Sequence, residues 1–184
     1  MEWAKRVRDA YLAIGDEYER TRRRPLPVAD LGRFGERALD IGSGRGAQPL
    51  YLEHEHKYVV HCDLHRRLTP GGDSVECEAT MLPFRDGAFD VAYLIAVIHH
   101  MPPEVASIAL RNARRVAKRV VITTWAVAKG RQVGPKLWVV PWGKKALRYY
   151  FHYTHYDLAK MLPTMPLAMG ILKRGNQINY FVLL

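Results

Sequence analysis

The residues with the clearest chemical promise stand in one short run, Leu39-Asp40-Ile41-Gly42-Ser43-Gly44-Arg45-Gly46. Two more acids, Asp63 and Glu78, follow it further along the chain. Glycines at this spacing let the backbone turn tightly and approach a ligand closely. Gly42, Gly44 and Ala47 also satisfy the Gly-x-Gly-x-x-Ala pattern of dinucleotide sites. The loop alone does not separate a nicotinamide cofactor from S-adenosylmethionine. Charge does so better. A carboxylate at Asp40, just before the first glycine, would sit badly beside a pyrophosphate. It suits the sulfonium and ammonium groups of S-adenosylmethionine. Asp63 is placed to accept both ribose hydroxyls of either cofactor class. Glu78, with the Ala79 backbone beside it, can accept from an adenine amino group. The expected cofactor is S-adenosylmethionine.

These acids need a frame that brings them to one crevice, and the pattern along the chain supplies one. Residues 37–41 read as a strand, 42–46 as a turn and 47–56 as a helix. Further strands are expected at 58–63, 74–77, 88–95 and 119–125, and a helix at 103–117. The unbroken apolar character of 88–95 marks a strand buried on both faces. Ahead of this frame, Val7, Tyr11, Ile14 and Tyr18 recur at helical spacing, and Pro25 and Pro27 end that segment. Residues 126–155 read as irregular, aromatic and basic, followed by a short helix at 157–162. The chain closes on a β-hairpin, 167–173 and 177–184, turning at Arg174-Gly175-Asn176. The expected fold is α/β and Rossmann-like: a mostly parallel seven-stranded sheet, helices on both faces and a C-terminal hairpin. One domain covers 1–184, with 1–30 a helical basic segment and 31–184 the core. The acids then fall at the carboxyl ends of successive strands, facing one crevice.

Length and composition agree with that frame. At 184 residues the chain has the length of one domain, and 48 % apolar with 25 % charged residues is an ordinary globular balance. Disordered, collagen-like and disulfide mini-protein classes are excluded. Lys plus Arg total 28 against 18 Asp plus Glu, a net charge of +10 that calls for an acidic partner. Nucleic acid is the first candidate and an anionic membrane surface the second. The longest apolar run, 91–98, falls far short of the ~18 residues of a membrane span. The charged N-terminus has no signal-peptide core, so a cytoplasmic protein is expected. Cys62 and Cys77 are expected to be reduced, mostly buried thiols. His54-Glu55-His56 and the pair His152 and His155 lack a third ligand, so no metal is expected.

With these residues in place, the chain resembles the class I S-adenosylmethionine-dependent methyltransferases over nearly its whole length. Three stretches narrow the resemblance. The first is Tyr-x6-Tyr-x2-Thr-Arg-x2-Pro-x-Pro, from Tyr11 to Pro27. The second joins Phe89-Asp90 to Ile95-Ala96-Val97-Ile98-His99-His100. The third comprises Trp125-Ala126, Val140-Pro141-Trp142 and Arg148-Tyr149-Tyr150. Together they are similar to the tRNA wobble-uridine carboxymethyl methyltransferases, which esterify the carboxylate of 5-carboxymethyluridine at position 34 of the anticodon. The resemblance implies tRNA, through its anticodon loop, as substrate. It also implies a heterodimer with a small zinc-binding activator subunit. The chain departs from the family at Leu94, where Ser is usual, and at Val127-Ala128, where Glu-Gln is usual. The family's long basic insert is reduced to 129–136.

The chemistry so implied asks little of acid-base groups. A carboxylate nucleophile titrates near ~4 and needs no general base. The task is to hold oxygen and methyl close and in line. Leu94-Ile95-Ala96-Val97 stands where amine methyltransferases carry an Asn/Asp-Pro-Pro-aromatic motif, which argues against nitrogen methylation. Methylation at a pyrimidine carbon needs a cysteine nucleophile, and Cys62 and Cys77 fall on the cofactor side. Arg22 is the candidate for gripping the substrate carboxylate through its bidentate fork. His99 is expected to line the pocket, with His100 packing locally. Trp125, Arg148, Tyr149 and Tyr150 are candidates for holding a flipped-out uridine, and Ile95 joins the cofactor set. Basic clusters at 20–24, 111–119, 129–136 and 144–148 are candidates for phosphate contacts that weaken with salt. Val75, Cys77 and Met81-Leu82-Pro83-Phe84 are expected to form the edge that docks the activator. Two other readings stay open: a same-fold methyltransferase acting on a small molecule or protein, and a non-catalytic RNA-binding scaffold.

Overall fold

The computed structural model describes residues 2–127, 130–175 and 177–184. Ala128, Lys129 and Asn176, which the sequence places in the shortened insert and the hairpin turn, lie outside the described residues. Five strands run parallel: β1 (Arg37–Ile41), β2 (Tyr58–Asp63), β3 (Ser74–Glu76), β4 (Phe89–Ile95) and β5 (Ala117–Trp125). A terminal hairpin of β9 (Ala168–Arg174) and β10 (Gln177–Leu183) adds two antiparallel strands to the β5 edge. The seven-stranded order is β3-β2-β1-β4-β5-β10-β9. Strand order therefore reverses between β1 and β4, the place where an open α/β sheet leaves a crevice beyond its carboxyl ends.

The central strands carry apolar residues in both phases because both faces are covered. Leu39, Ile41, Ala92, Leu94 and Ile122 enter one core cluster. Their neighbours Ala38, Val91, Tyr93 and Val121 enter the other. Side chains alternate across a strand, so a run without polar breaks fills both layers. Helix α3 (Pro103–Val116) begins with Pro, carries Glu104 in its first turn and ends on Arg114 and Arg115, matching the helix dipole. It buries Ala106, Ala109, Leu110, Ala113 and Val116 along one stripe. Helix α4 (His155–Met161) is started by a Thr154–Asp157 capping box. Helix α2 (Ala47–Glu55) follows the glycine loop. Helix α1 (Glu2–Arg20) lies outside the sheet and packs on β8 (Ala146–Phe151). The crossover from β2 to β3 has room only for a 3-10 turn, Arg66–Leu68.

Two expectations are corrected here. Residues 126–155 are more regular than expected: β6 (Arg131–Gly134), β7 (Leu137–Trp142) and β8 form a three-stranded antiparallel sheet. The alternation is hidden because the wrong residue types face inward. On β8, Arg148 is only 7 % exposed, while its neighbour Leu147 is 52 % exposed. Cys62 and Cys77 are joined in a disulfide instead of standing as separate thiols. Strand pairing aligns Cys62 with Val75, and the Cys77 N–H donates to the Asp63 carbonyl at 2.9 Å. This leaves the two Cα atoms 5.7 Å apart, inside the span a disulfide bridges. Among the described residues, no helix is long and apolar enough to cross a membrane.

Candidate functional site

The crevice at the strand reversal is a cavity of about 450 Å³, lined at one end by the glycine loop and at the other by aromatic rings. Its roof is α1. Trp3, Val7, Tyr11 and Tyr18 of that helix all face the cavity. Ion pairs from Arg45 to Asp16 (2.6 Å) and Glu19 (3.4 Å) tie the helix to the glycine loop. The Trp142 Nε1–H donates to Glu17 at 3.0 Å and ties it to β7.

The loop end is built by backbone geometry. Gly42 has φ +69°, and a Cβ there would meet Val97 at 2.6 Å. Gly44 has φ +60°, and a Cβ there would meet nothing within 4 Å, because the loop opens on the cavity. Such conformations favour glycine. The Asp63 carboxylate accepts from the Gly44 N–H at 3.1 Å and the Leu64 N–H at 2.7 Å. Burial still pushes its carboxyl up to about 7. Asp40 is 2 % exposed yet lines the same cavity, and burial raises its carboxyl as well. Ser43 Oγ is buried in the loop with no partner. Ala79 and Ile95 complete this end. Glu78 does not. Its carboxylate accepts from Thr80 and faces a separate groove with Glu2, Lys5, Arg8 and Glu76. Local spacing fixed Glu78 only to a loop, and that loop turns the acid outward.

The other end is a cluster of rings. Trp125 and Tyr150 stack at 4.4 Å and 20°. His99 lies 5.3 Å from Trp125 and 5.0 Å from Tyr150, all between ring centroids. Tyr11 Oη reaches His100 Nε2 at 3.1 Å and Tyr150 Oη at 3.3 Å. His100 Nδ1 lies 3.4 Å from the Tyr149 carbonyl. A carbonyl only accepts, so the proton of a neutral His100 sits on Nδ1 and Nε2 accepts from Tyr11. Arg22 lines the cavity, with its guanidinium 4.2 Å above the Tyr18 ring. Its carbonyl accepts from the Ala47 N–H at 2.9 Å, which fixes Arg22 against the start of α2.

Besides Glu78, two more expected residues lie outside the cavity lining. Arg148 is held between Trp142 (4.8 Å) and Tyr150 (5.5 Å), behind the ring stack. Tyr149 faces away, its ring under Arg6 at 5.8 Å. Period two on β8 turns Tyr150 to the cavity and Tyr149 from it. Sequence reasoning missed Ser43, Asn179 and the roofing face of α1. The Val7, Tyr11 and Tyr18 stripe was the available signal, since an apolar helix face must cover something. Of the basic clusters, 111–119 is largely structural: Arg114 donates to the Ala117 carbonyl, and Arg115 to the Leu82 and Phe84 carbonyls.

The buried histidines carry a pH signature. Burial lowers His100 from 6.5 to about 4, and it holds His99 well below 6.5. Below pH 6.5 the unfolded chain binds a proton at residue 100 that the folded chain refuses until about pH 4. His100 therefore withdraws stability as pH falls through that window. Asp63, raised to about 7, titrates in the opposite sense, so the difference between chains is the readout. His100→Gln is expected to cost about 1–2 kcal/mol at neutral pH through its lost hydrogen bonds. In urea titrations that cost shrinks steadily below pH 6.5.

Several known proteins similar to this chain are methyltransferases. A family model for the methyltransferase domain matches residues 39–121, from the glycine-loop strand into β5. The chain is 31 % identical over 136 residues to the Xenopus tropicalis tRNA (carboxymethyluridine(34)-5-O)-methyltransferase alkbh8, covering 66 % of this chain and 21 % of that protein. It is 27 % identical over 153 residues to the demethylmenaquinone methyltransferase of Beutenbergia cavernae, covering 78 % of this chain and 59 % of that one. The chain thus spans about a fifth of the first relative's length and about three fifths of the second's. The crystal structure of the 1,6-didemethyltoxoflavin-N1-methyltransferase of Burkholderia thailandensis, with S-adenosylhomocysteine bound, superposes with a TM-score of 0.69 at 21 % identity. That match covers 99 % of this chain and 88 % of the other. The residues present fit S-adenosylmethionine. The glycine loop opens on the cavity, the Ser43 hydroxyl is unpartnered, and two carboxylates face the space where cationic and hydroxyl groups would lie.

Proposed function

We propose that this chain, a class I S-adenosylmethionine-dependent methyltransferase, esterifies the carboxylate of 5-carboxymethyluridine at the tRNA wobble position. One observation carries the reading. The glycine-loop acids share a single cavity with a Trp125–Tyr150 ring stack and the Arg22 guanidinium. S-adenosylmethionine supplies an activated methyl on its sulfonium. Asp63 binds the ribose hydroxyls and Asp40 the ammonium group, while Ile95 and Ala79 pack against the adenosine. The rings of Trp125 and Tyr150 hold a flipped uracil, and the Arg22 fork takes the carboxylate. No base is needed, which agrees with the neutral state in which burial holds His99 and His100. Arg148 keeps the ring stack in place from behind. Helix α1 excludes water.

The charge of +10 supports a polyanionic substrate. Arg20, Arg23, Arg24, Arg131 and Lys144 are placed on the segments that would meet phosphates. The 31 % identity to a carboxymethyluridine methyltransferase supports the same reading. A small zinc-binding activator is proposed at the β3 edge, where Val75 is partly exposed and Met81 is 74 % exposed. Cytoplasmic residence follows from this substrate. A second reading, methylation of a small molecule, is favoured by the match to a demethylmenaquinone methyltransferase, which covers more of this chain.

Transfer of labelled methyl from S-adenosylmethionine to bulk tRNA, with the activator added, separates the readings. Label that mild alkali releases as methanol is the expected result and defines an ester. Alkali-stable label assigns nitrogen, carbon or ribose methylation and overturns the substrate. Absence of label moves the assignment to a small molecule or to a scaffold.

A further inference from the structure

Asp40 on β1 is paired in register with His61 on β2, and their side chains meet in the interior. His61 Nδ1 lies 3.3 Å from Asp40 Oδ2, and Nε2 lies 3.1 Å from Glu53 Oε1 on α2. His61 is 1 % exposed and Asp40 2 %, whereas the Glu53 side chain is 46 % exposed. The result is a chain of groups running from solvent through Glu53 and His61 to Asp40 at the cavity wall. The proposed chemistry uses Asp40 and gives no part to His61 or Glu53.

Proton counting gives it a role. An ionised carboxylate only accepts hydrogen bonds, and a neutral imidazole has one N–H. Neutral His61 would leave one ring nitrogen facing a carboxylate oxygen, acceptor against acceptor, in a low-dielectric interior. With a proton on each nitrogen, both carboxylates are satisfied. Two negative charges and one positive then leave a single net negative charge on the trio. We propose that His61 is a positioning residue, doubly protonated between Asp40 and Glu53, that keeps Asp40 ionised for the cofactor's ammonium group and makes cofactor affinity depend on its proton.

The direction of each group agrees. Burial opposes the charge on His61, but its hydrogen bonds and charge contacts with Asp40 and then Glu53 outweigh that and raise it. Burial raises Asp40, and His61 works against that rise. Beyond its own members, the titratable groups that face this trio are Asp63 and the Tyr93 hydroxyl on β4, both of which feel the Asp40 charge. The inference rests on the cofactor part of the proposed function and not on the tRNA part.

The test is the dissociation constant of S-adenosylhomocysteine, measured by calorimetry from about pH 6 to about pH 10. In the natural chain, affinity is expected to fall about tenfold on the alkaline side as His61 loses its proton. Glu53→Gln removes a half-exposed acid and leaves the core packing alone. It is expected to move the alkaline midpoint down by about one pH unit, because one of two charge partners is gone. His61→Gln is expected to weaken binding about tenfold at neutral pH and to leave only the alkaline limb of the ligand's own ammonium group, whose midpoint is read separately by titrating free S-adenosylhomocysteine. A Glu53→Gln profile that superimposes on that of the natural chain overturns the proposal. So does a folded His61→Gln chain whose alkaline limb is identical to that of the natural chain. Failure of the natural chain to bind at any pH overturns the cofactor reading beneath it, a result distinct from a flat profile with intact binding.

Discussion

Replacing Asp63 with alanine is expected to weaken S-adenosylmethionine binding by about a hundredfold to ten-thousandfold, the loss of two charge-assisted hydrogen bonds at ~1.5–3 kcal/mol each. The effect should be this large because Asp63 is used twice. It joins the end of β2 to the glycine loop by accepting from Gly44 and Leu64, and its free lone pairs face the cavity. Asparagine keeps an acceptor for the backbone but cannot accept two hydroxyls with equal strength. Asp63→Asn should therefore retain the fold and still lose most of the affinity. A pH signature accompanies it. The buried carboxyl sits at about 7 in the unliganded protein, and ribose hydroxyls favour its ionised form. Affinity should rise as pH climbs through about 7, ahead of the alkaline fall expected from His61, with a proton released on binding below that point. Calorimetry in buffers of different ionisation enthalpy reads that proton directly. In Asp63→Asn the rise should vanish. If Asp63→Ala binds the cofactor as the natural chain does, the crevice is not the cofactor site.

The parts of this site that the sequence made legible are those whose geometry is local. Asp40, Gly42 and Gly44 are separated by so few residues that a strand, a turn and a helix start fix their positions. Asp63 was legible because a strand ends on it. Glu78 was not, since no element holds it; one extra residue in a loop decides whether such an acid faces a ligand or water. The same contrast separates the parallel sheet from the small one. β4 announces itself by burying residues on both faces. β8 conceals itself because its inward residues are Arg148 and Tyr150, and an arginine buried between the Trp142 and Tyr150 rings does not read as a core position in an alternation of apolar and polar residues. The Cys62–Cys77 link was hidden for a related reason. It depends on which residues of β2 and β3 fall opposite one another, a register set by the whole sheet. The Asp40–His61 contact has the same origin, since only strand pairing turns two distant residues into neighbours.

The substrate half of the cavity depends most on Arg22. Arg22→Ala is expected to lower kcat/KM toward tRNA by about a hundredfold, or ~2.7 kcal/mol, while leaving the cofactor's dissociation constant within about threefold. The two effects separate because the arginine's two ends do different work. Its carbonyl accepts from the Ala47 N–H and holds the glycine loop, and alanine keeps that bond. Among the described residues its guanidinium lies 4.2 Å over the Tyr18 ring and donates to Thr21 at 3.2 Å, and it lines the cavity where a ligand could take its other donors. Losing the ring contact costs about 0.5–1 kcal/mol at a partly exposed site, too little to unfold the domain. Arg22→Lys restores the charge without the fork. It should recover part of the loss if the guanidinium only attracts phosphates, and little if it grips a carboxylate in bidentate fashion. Salt separates these cases again. A phosphate contact would flatten the salt dependence of tRNA binding when it is removed, whereas a grip on the reacting carboxylate would leave that slope unchanged and act on kcat. An Arg22→Ala chain that methylates tRNA at the natural rate would remove the cation proposed to recognise an acid. The cavity would then be better read as a site for a neutral acceptor, such as the small molecules methylated by several enzymes of this fold.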